Sequence, residues 1–294
     1  MGYSFEKCRN ELALILQNPF FNKMTDPITS TSNERVKELV KLRESPRRRE
    51  QMQLFVIEGF NEVRCSIEFG KNVETVFYCK QFIETSGLVL ELKKLKADKI
   101  NFVELGSDAF KKASYRNSSD GFLATVKMWD ISLTNLFKPI GNVCVILDEI
   151  EKPGNLGAII RTVEAMGVKT LLLSDSCVDF FNPNVIRSSR GLFAGINVRA
   201  GSKEQIFKLL SQEKFSLVGT SGKAKQSFWD YEFDNKNAFV FGSEKDGLGK
   251  FWLDRVHGTI KIPMSGKADS LNLNVSVACV LTEHQRRSAI SERP

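Results

Sequence analysis

Short apolar runs separated by Gly, Ser, Asp and Asn recur along most of this chain, alternating with stretches of helical periodicity. FVIEG (55–59) reads as a strand, NEVRCSIEFG (61–70) as a helix and VETVFYCK (73–80) as a strand. LVLELKKLKAD (88–98) follows as a helix and INFVEL (100–105) as a strand, with a helix or loop over 107–118 and a further strand at GFLATVKM (121–128). The texture changes at DISLTNLFKPIG (130–141), which is polar and punctuated by Pro and Gly. Beyond it the alternation is cleaner: NVCVILDEI, a helix over 155–166, then TLLLSD, FSLVGTS, AFVFG and GTIKIPM, and a long helix from about Ser270. This pattern predicts an α/β protein whose C-terminal part is a mostly parallel sheet with helices on both faces. A small αβ domain over 31–130 precedes the domain at 141–294, and residues 1–30 form an extension.

Composition is that of a globular protein: 42% hydrophobic and 26% charged over 294 residues, with 22 Phe to build sizeable cores. The net charge of +7 is a mild pull toward polyanions. The six Cys are scattered without a C-x-x-C pair, so a zinc site or disulfide framework is not expected, and Cys65, Cys79, Cys144 and Cys279 read as buried thiols. The apolar run Leu12–Leu16 is too short to span a bilayer and lacks a cleavage site, so no membrane association and a cytoplasmic location are expected. Thr31 and Glu34 suggest a capping box for a helix carrying Val36, Leu39 and Val40, which Pro46 ends. The stretch from Glu34 to Glu50 holds seven basic and four acidic residues. Arg35, Lys37, Lys41, Arg43, Arg47, Arg48 and Arg49 are therefore candidate phosphate contacts, with a solvated helix face as the ordinary alternative.

Three segments place polar residues and glycines at the C-terminal ends of strands, where open α/β sheets bind ligands. In the first (148–168), Pro153-Gly154 makes a turn, Asn155 can cap the helix, and Arg161 lies one turn after Gly157. In the second (238–250), a strand ends in Gly242, Ser243 and Glu244, with Gly247 and Gly249 beyond. In the third (260–287), Ser270 and Asn272 fall in the first turn of the long helix. Taken singly, their ordinary readings are a capped helix, a flexible loop and an N-cap. Neither a dinucleotide fingerprint nor a Walker loop is present.

Taken in order, the three resemble the signature motifs of the SpoU (TrmH) family of RNA ribose 2′-O-methyltransferases. Asn155, Gly157, Arg161 and Thr162 match the first motif, and Gly242, Glu244, Gly247 and Leu248 the second. Ile262, Pro263, Met264, Ser270, Leu271 and Asn272 match the third. Two departures stand out: Ser243 replaces a frequent Asn, and SLNLNVSVA replaces Ser-Leu-Asn-Val-Ser-Val-Ala. An ungapped match makes Asn272 the motif Asn, whereas a shift of two residues would choose Asn274. The resemblance implies a deep C-terminal trefoil knot and S-adenosyl-L-methionine held at Thr220, Gly242, Ile262 and Leu271. It also implies a homodimer that completes the site, and an N-terminal RNA-binding domain similar to ribosomal L30e.

The activity implied is methylation of a ribose 2′-hydroxyl, in 23S ribosomal RNA for preference. Arg161, Asn155, Glu244, Ser270 and Asn272 form the implied catalytic set. Neither His257 nor His284 sits near a carboxylate pair at metal spacing, so no metal is expected, and both read as surface residues. A guanidinium stays protonated. Arg161 is therefore expected to lower the hydroxyl's pKa while phosphate or water takes the proton, with Asn155, Glu244 and Asn272 positioning it. The competing functions are an enzyme of the same group acting on a base or on transfer RNA, and a non-catalytic RNA-binding or ribosome-assembly protein. Cofactor binding without turnover would mark the latter.

Overall fold

The computed structural model describes residues 26–86, 88, 100–115, 120–133 and 140–291. The N-terminal amphipathic segment and nearly all of the helix expected over 88–98 lie outside these residues. Two compact units form. One takes the described residues up to Trp129 together with Phe181–Arg187; the other takes Asp130–Phe180 and the described residues from Ser188 onward.

The first unit begins with α1 (Glu34–Glu44) and α2 (Pro46–Met52), followed by β1 (Leu54–Glu58), α3 (Phe60–Glu68), β2 (Val73–Tyr78) and α4 (Lys80–Ser86). β3 (Asn101–Glu104), α5 (Ser107–Ala113) and β4 (Phe122–Lys127) complete it. Its sheet has the order β1-β4-β2-β3, antiparallel except for the β2–β3 pair. Val36, Leu39 and Leu42 of α1 recur every three residues and pack with Ala109 and Phe110 of α5 over Val56, Phe77 and Leu123.

Two expectations for this region are corrected. The cap of α1 is Asn33, whose side chain accepts from the Arg35 amide at 2.9 Å, because a turn at Thr31–Ser32 displaces Thr31 from the helix start. Pro46 does not merely end a helix; it opens α2 at a position where its missing N–H costs nothing. Arg47, Arg48 and Arg49 therefore lie on a helix. Arg49 is turned inward, 2% exposed, donating to the carbonyls of Leu42 (2.6 Å) and Arg43 (3.0 Å) at the end of α1.

The second unit contains β5 (Val143–Asp148), α6 (Pro153–Ala165), β6 (Thr170–Ser174), and the end of α7 (Pro183–Ser189). Next come β7 (Asn197–Gly201), α8 (Lys203–Gln212), β8 (Ser216–Thr220), β9 (Gln226–Ser227) and β10 (Asn237–Phe241). α9 (Lys250–Leu253), β11 (Gly258–Lys261) and α10 (Leu273–Ser291) follow. All neighbouring strands pair in parallel in the order β7-β6-β5-β10-β8-β11-β9. Alternate residues serve opposite faces. Ile146, Leu172 and Val240 face Ile206 and Leu210 of α8 and Trp252 of α9. Phe239, on the other face, meets His284 of α10 with ring centroids 5.5 Å apart.

The strands β7 and β9 were not foreseen. The first is rich in polar residues and Gly, and the second is two residues long. α6 starts at Pro153 with Lys152 in the cap position, so Asn155 sits inside the first turn rather than capping it. α10 starts at Leu273, not Ser270. Asn272 fills the cap, its side-chain oxygen accepting from the Asn274 amide at 3.0 Å and its carbonyl from the Ser276 amide at 3.0 Å. Among the described residues no helix is long and apolar enough to cross a membrane.

Arg49→Ala leaves two helix-end carbonyls without their donor, and should lower the unfolding free energy by about 2–3 kcal/mol. Arg47→Ala, at an exposed side chain, should change it by less than about 0.5 kcal/mol. Urea denaturation of both variants checks the contrast.

Candidate functional site

Parallel pairing puts the carboxyl ends of β5, β10, β8 and β11 at one edge of the sheet. Phe241 lies opposite both Leu147 and Thr220, and Ile260 opposite Thr220. The segments leaving that edge are the three singled out in the sequence.

They meet at Asn155. Its side-chain amide donates to one carboxylate oxygen of Glu244, and the Lys152 ammonium holds the other. Asn272 donates from its Nδ2 to the Asn155 Oδ1 at 3.3 Å. One residue into α10, the Asn274 Oδ1 accepts from the Thr162 hydroxyl at 2.7 Å, tying the last turn of α6 to the start of α10. The result is a continuous polar chain from Lys152 to Asn272, with a second tether at Thr162. Both carboxylate oxygens of Glu244 are engaged, so Glu244 organises the site by joining Lys152 to Asn155.

Lys152, Asn274 and Thr162 were not among the expected site residues. Lys152 had a readable signal, because a cation at a helix N-terminus opposes the helix dipole and calls for a nearby carboxylate. Asn274 carried none beyond the two ways of matching the third motif. In the structure both asparagines take part, Asn272 toward Asn155 and Asn274 toward Thr162.

The loop that presents Glu244 is fixed by backbone. A Cβ at Gly242 would lie 2.0 Å from the Gly247 carbonyl oxygen, so only glycine fits. Gly247, at φ +70°, returns its amide to the Ser243 carbonyl at 3.0 Å, while the Ser243 Oγ accepts from the Asp246 amide at 3.0 Å. Leu248 then enters the core.

The other expected residues occupy different positions. Arg161 is exposed on α6, six residues beyond Asn155 and so about 9 Å further along the axis. Its neighbour Thr162 carries the tether to Asn274. Ser270 is exposed in the stretch before α10. Thr220 donates its hydroxyl to the Val240 carbonyl at 3.1 Å, Ile262 is half-buried just past β11, and Leu271 is 37% exposed. Thr220, Gly242 and Ile262 thus stand at the ends of three adjacent strands, with Leu271 and Met264 offering apolar surface beyond them.

The histidines do other work. Nδ1 of His257 accepts the Leu217 amide at 3.0 Å. His284 is half-buried: it packs against Phe233 and Phe239, and burial lowers its pKa. Among the described residues no cluster of His, Cys, Asp and Glu could hold a metal ion. A cavity of about 560 Å³ opens at the opposite edge of the sheet, lined by Asn142, Lys169 and Gln285, away from this chemistry.

The basic stretch is divided. Arg35, Lys37, Lys41 and Arg47 are exposed, Lys37 beside Glu34 at 2.7 Å. Arg43 donates to the carbonyls of Lys112, Ala113 and Ser114 at the end of α5, and Arg48 makes a two-pronged pair with Glu38 at 2.7 and 2.8 Å. With Arg49 buried, three of the seven cations serve the fold.

A family model for the SpoU rRNA methylase family matches residues 142–282, and one for an MRM3-like substrate binding domain matches residues 33–124. A crystal structure described as an RNA 2′-O ribose methyltransferase is 31% identical, with a TM-score of 0.78 over 90% of this chain and 99% of that one. This chain belongs to the SpoU family. Two further relatives bear on its chemistry. The 23S rRNA (guanosine(2553)-2′-O)-methyltransferase RlmP of Bacillus subtilis is 25% identical over 88% of this SpoU chain and 98% of its own. The SpoU methyltransferase AviRb from Streptomyces viridochromogenes, solved with AdoMet, is 25% identical over 89% of this chain and 100% of its own, with a TM-score of 0.78.

Gly242→Ala should destabilise the SpoU unit by about 3 kcal/mol or more, since backbone must move to admit the methyl group. Gly222→Ala, with nothing within 4 Å of the added carbon, should fall within about 0.5 kcal/mol of wild type. Parallel urea titrations measure both.

Proposed function

We propose that this protein transfers a methyl group from S-adenosyl-L-methionine to a ribose 2′-hydroxyl of 23S ribosomal RNA. One observation carries the reading most directly: the three motif segments converge through Lys152, Glu244, Asn155 and Asn272 at the carboxyl edge of a parallel sheet. The relative from Bacillus subtilis, named for 2′-O-methylation of 23S rRNA, supports the substrate class.

The cofactor would be held at Thr220, Gly242, Ile262 and Leu271. The donor set fits it: three adjacent strand ends offer backbone, and the exposed side chains of Leu271 and Met264 suit a flat apolar ring. AviRb, solved with AdoMet, supports the assignment. When bound, the cofactor supplies an electrophilic methyl group on a sulfonium. The protein's own residues must place the ribose in line and ease loss of its proton. Arg161 cannot act as a base, being permanently protonated. It contacts the ribose oxygen and adjacent phosphate and lowers the hydroxyl's pKa, while phosphate or water takes the proton. Asn155, Glu244 and Asn272 fix the wall against which the nucleotide rests, and Ser270 holds the loop before α10.

Arg161 is exposed on α6, about 9 Å along the helix axis from Asn155. That placement fits a homodimer in which each protomer completes the site of the other. A C-terminal trefoil knot around the loops after β10 and β11 belongs to the same reading. The four-stranded first unit serves as the RNA-binding domain, of the ribosomal L30e type, and a cytoplasmic location belongs to the same reading.

Arg161→Ala should leave cofactor affinity unchanged by calorimetry but lower kcat by about 10²-fold or more, and Arg161→Lys should rescue poorly, lacking the planar fork. A fully active Arg161→Ala enzyme would falsify the assignment. For RNA binding, replacing Arg35, Lys37, Lys41 and Arg47 with Gln should reduce the slope of log affinity against log salt by roughly three, about 0.7 of a counterion for each of the four lost contacts. An unchanged slope would return this face to the role of a solvated surface.

A further inference from the structure

Trp229 is 56% exposed, on a turn whose backbone is tightly held. Its ring stacks on that of buried Phe228, with centroids 5.6 Å apart and an interplanar angle of 29°. The turn that carries it is pinned at four points. The Phe228 amide donates to the Lys261 carbonyl at 3.0 Å, and the Trp229 amide to the Ser227 Oγ at 3.1 Å. The Asp230 amide donates to the Ser227 carbonyl at 3.1 Å, and the Gln226 Nε2 to the Asp230 carbonyl at 3.2 Å. An exposed indole on a fixed turn, stacked on a buried ring, has much of its ordering cost met before any ligand arrives.

Its location gives that plate a use. Trp229 follows β9, whose Gln226 and Ser227 pair with Ile260 and Lys261 of β11, so it leaves the sheet at the same edge as Glu244. Three strand spacings separate β9 from β10, or roughly 14 Å. Lys223 and Lys225 on the loop after β8, and Lys267 on the loop after β11, are exposed at this edge, against Asp230 and Asp269. An aromatic face beside a cationic excess is the combination that binds single-stranded nucleic acid: bases stack on the ring while phosphates meet the lysines.

We propose that Trp229 is a stacking platform for an unpaired nucleobase that flanks the methylated nucleotide, with Lys223, Lys225 and Lys267 beside its phosphates. The proposal rests on the RNA methyltransferase reading. The platform positions the strand and leaves the methyl transfer itself to the cluster around Asn155.

The test uses the full chain and two probes, a single-stranded RNA oligonucleotide and the same strand with abasic riboses. In fluorescence anisotropy, Trp229→Ala should weaken binding of the base-bearing strand by about 10-fold and leave the abasic strand unaffected, and Trp229→Phe should restore most of the loss. With ribosomal RNA as substrate, KM should rise to a similar extent while kcat, cofactor affinity and sedimentation stay as in wild type. Equal binding of the base-bearing strand by wild type and Trp229→Ala would overturn the proposal. So would a loss of cofactor affinity or a change of oligomeric mass, which would assign the indole to the cofactor or to a second copy. A wild type that methylates neither ribosomal nor transfer RNA would remove the proposed activity, and the anisotropy contrast would still decide the role of Trp229.

Discussion

The backbone of Gly242 passes so close to that of Gly247 that a single methyl group on the first would overlap the carbonyl of the second. This contact folds the loop after β10 back on itself and fixes where the Glu244 carboxylate can reach. Glu244 in turn receives both Lys152 and Asn155, and Asn155 receives Asn272. If the loop were displaced, the first and third motif segments would lose their common partner. Leu248, which follows the contact, enters the same core as Ile206, Leu210 and Trp252. Site geometry and packing of the sheet are thereby linked through one loop.

The parallel sheet was legible because its inner strands are buried on both faces. Buried strands read as unbroken apolar runs, as in Val-Cys-Val-Ile-Leu of β5 and Leu-Leu-Leu of β6. The edge strands carried no such signal: β7 mixes Asn, Arg and Gly with its apolar residues, and β9 is held only by pairing with β11. Helix starts were misplaced by a few residues for a related reason. Several cap-competent residues stand together at Ser30–Asn33 and Ser270–Asn272, and tertiary turns decide among them. The site's membership came from the motif resemblance. Its wiring did not, since the pairing of Asn155 with Glu244 joins residues far apart in sequence.

The basic stretch shows the limit of reading charge from sequence. Arg47, Arg48 and Arg49 are adjacent, yet one faces solvent, one pairs with Glu38 and one is buried against helix-end carbonyls. A helix rotates neighbouring residues by about 100°, so consecutive cations cannot share a face. The exposed set that remains, Arg35, Lys37, Lys41 and Arg47, is a smaller polyanion-binding surface than composition suggests. The other aromatic and cationic group, around Trp229, lies on the methyltransferase unit itself.

The site of transfer is the central claim, and it has a direct chemical readout. Methylation of a ribose 2′-hydroxyl removes the nucleophile that cleaves the adjoining phosphodiester in alkali. Unmodified ribosomal RNA should be incubated with this protein and S-adenosyl-L-methionine labelled in the methyl group, then hydrolysed completely with alkali. Label recovered in alkali-resistant dinucleotides is the expected result; label recovered in mononucleotides would place the methyl group on a base and contradict a ribose 2′-O-methyltransferase.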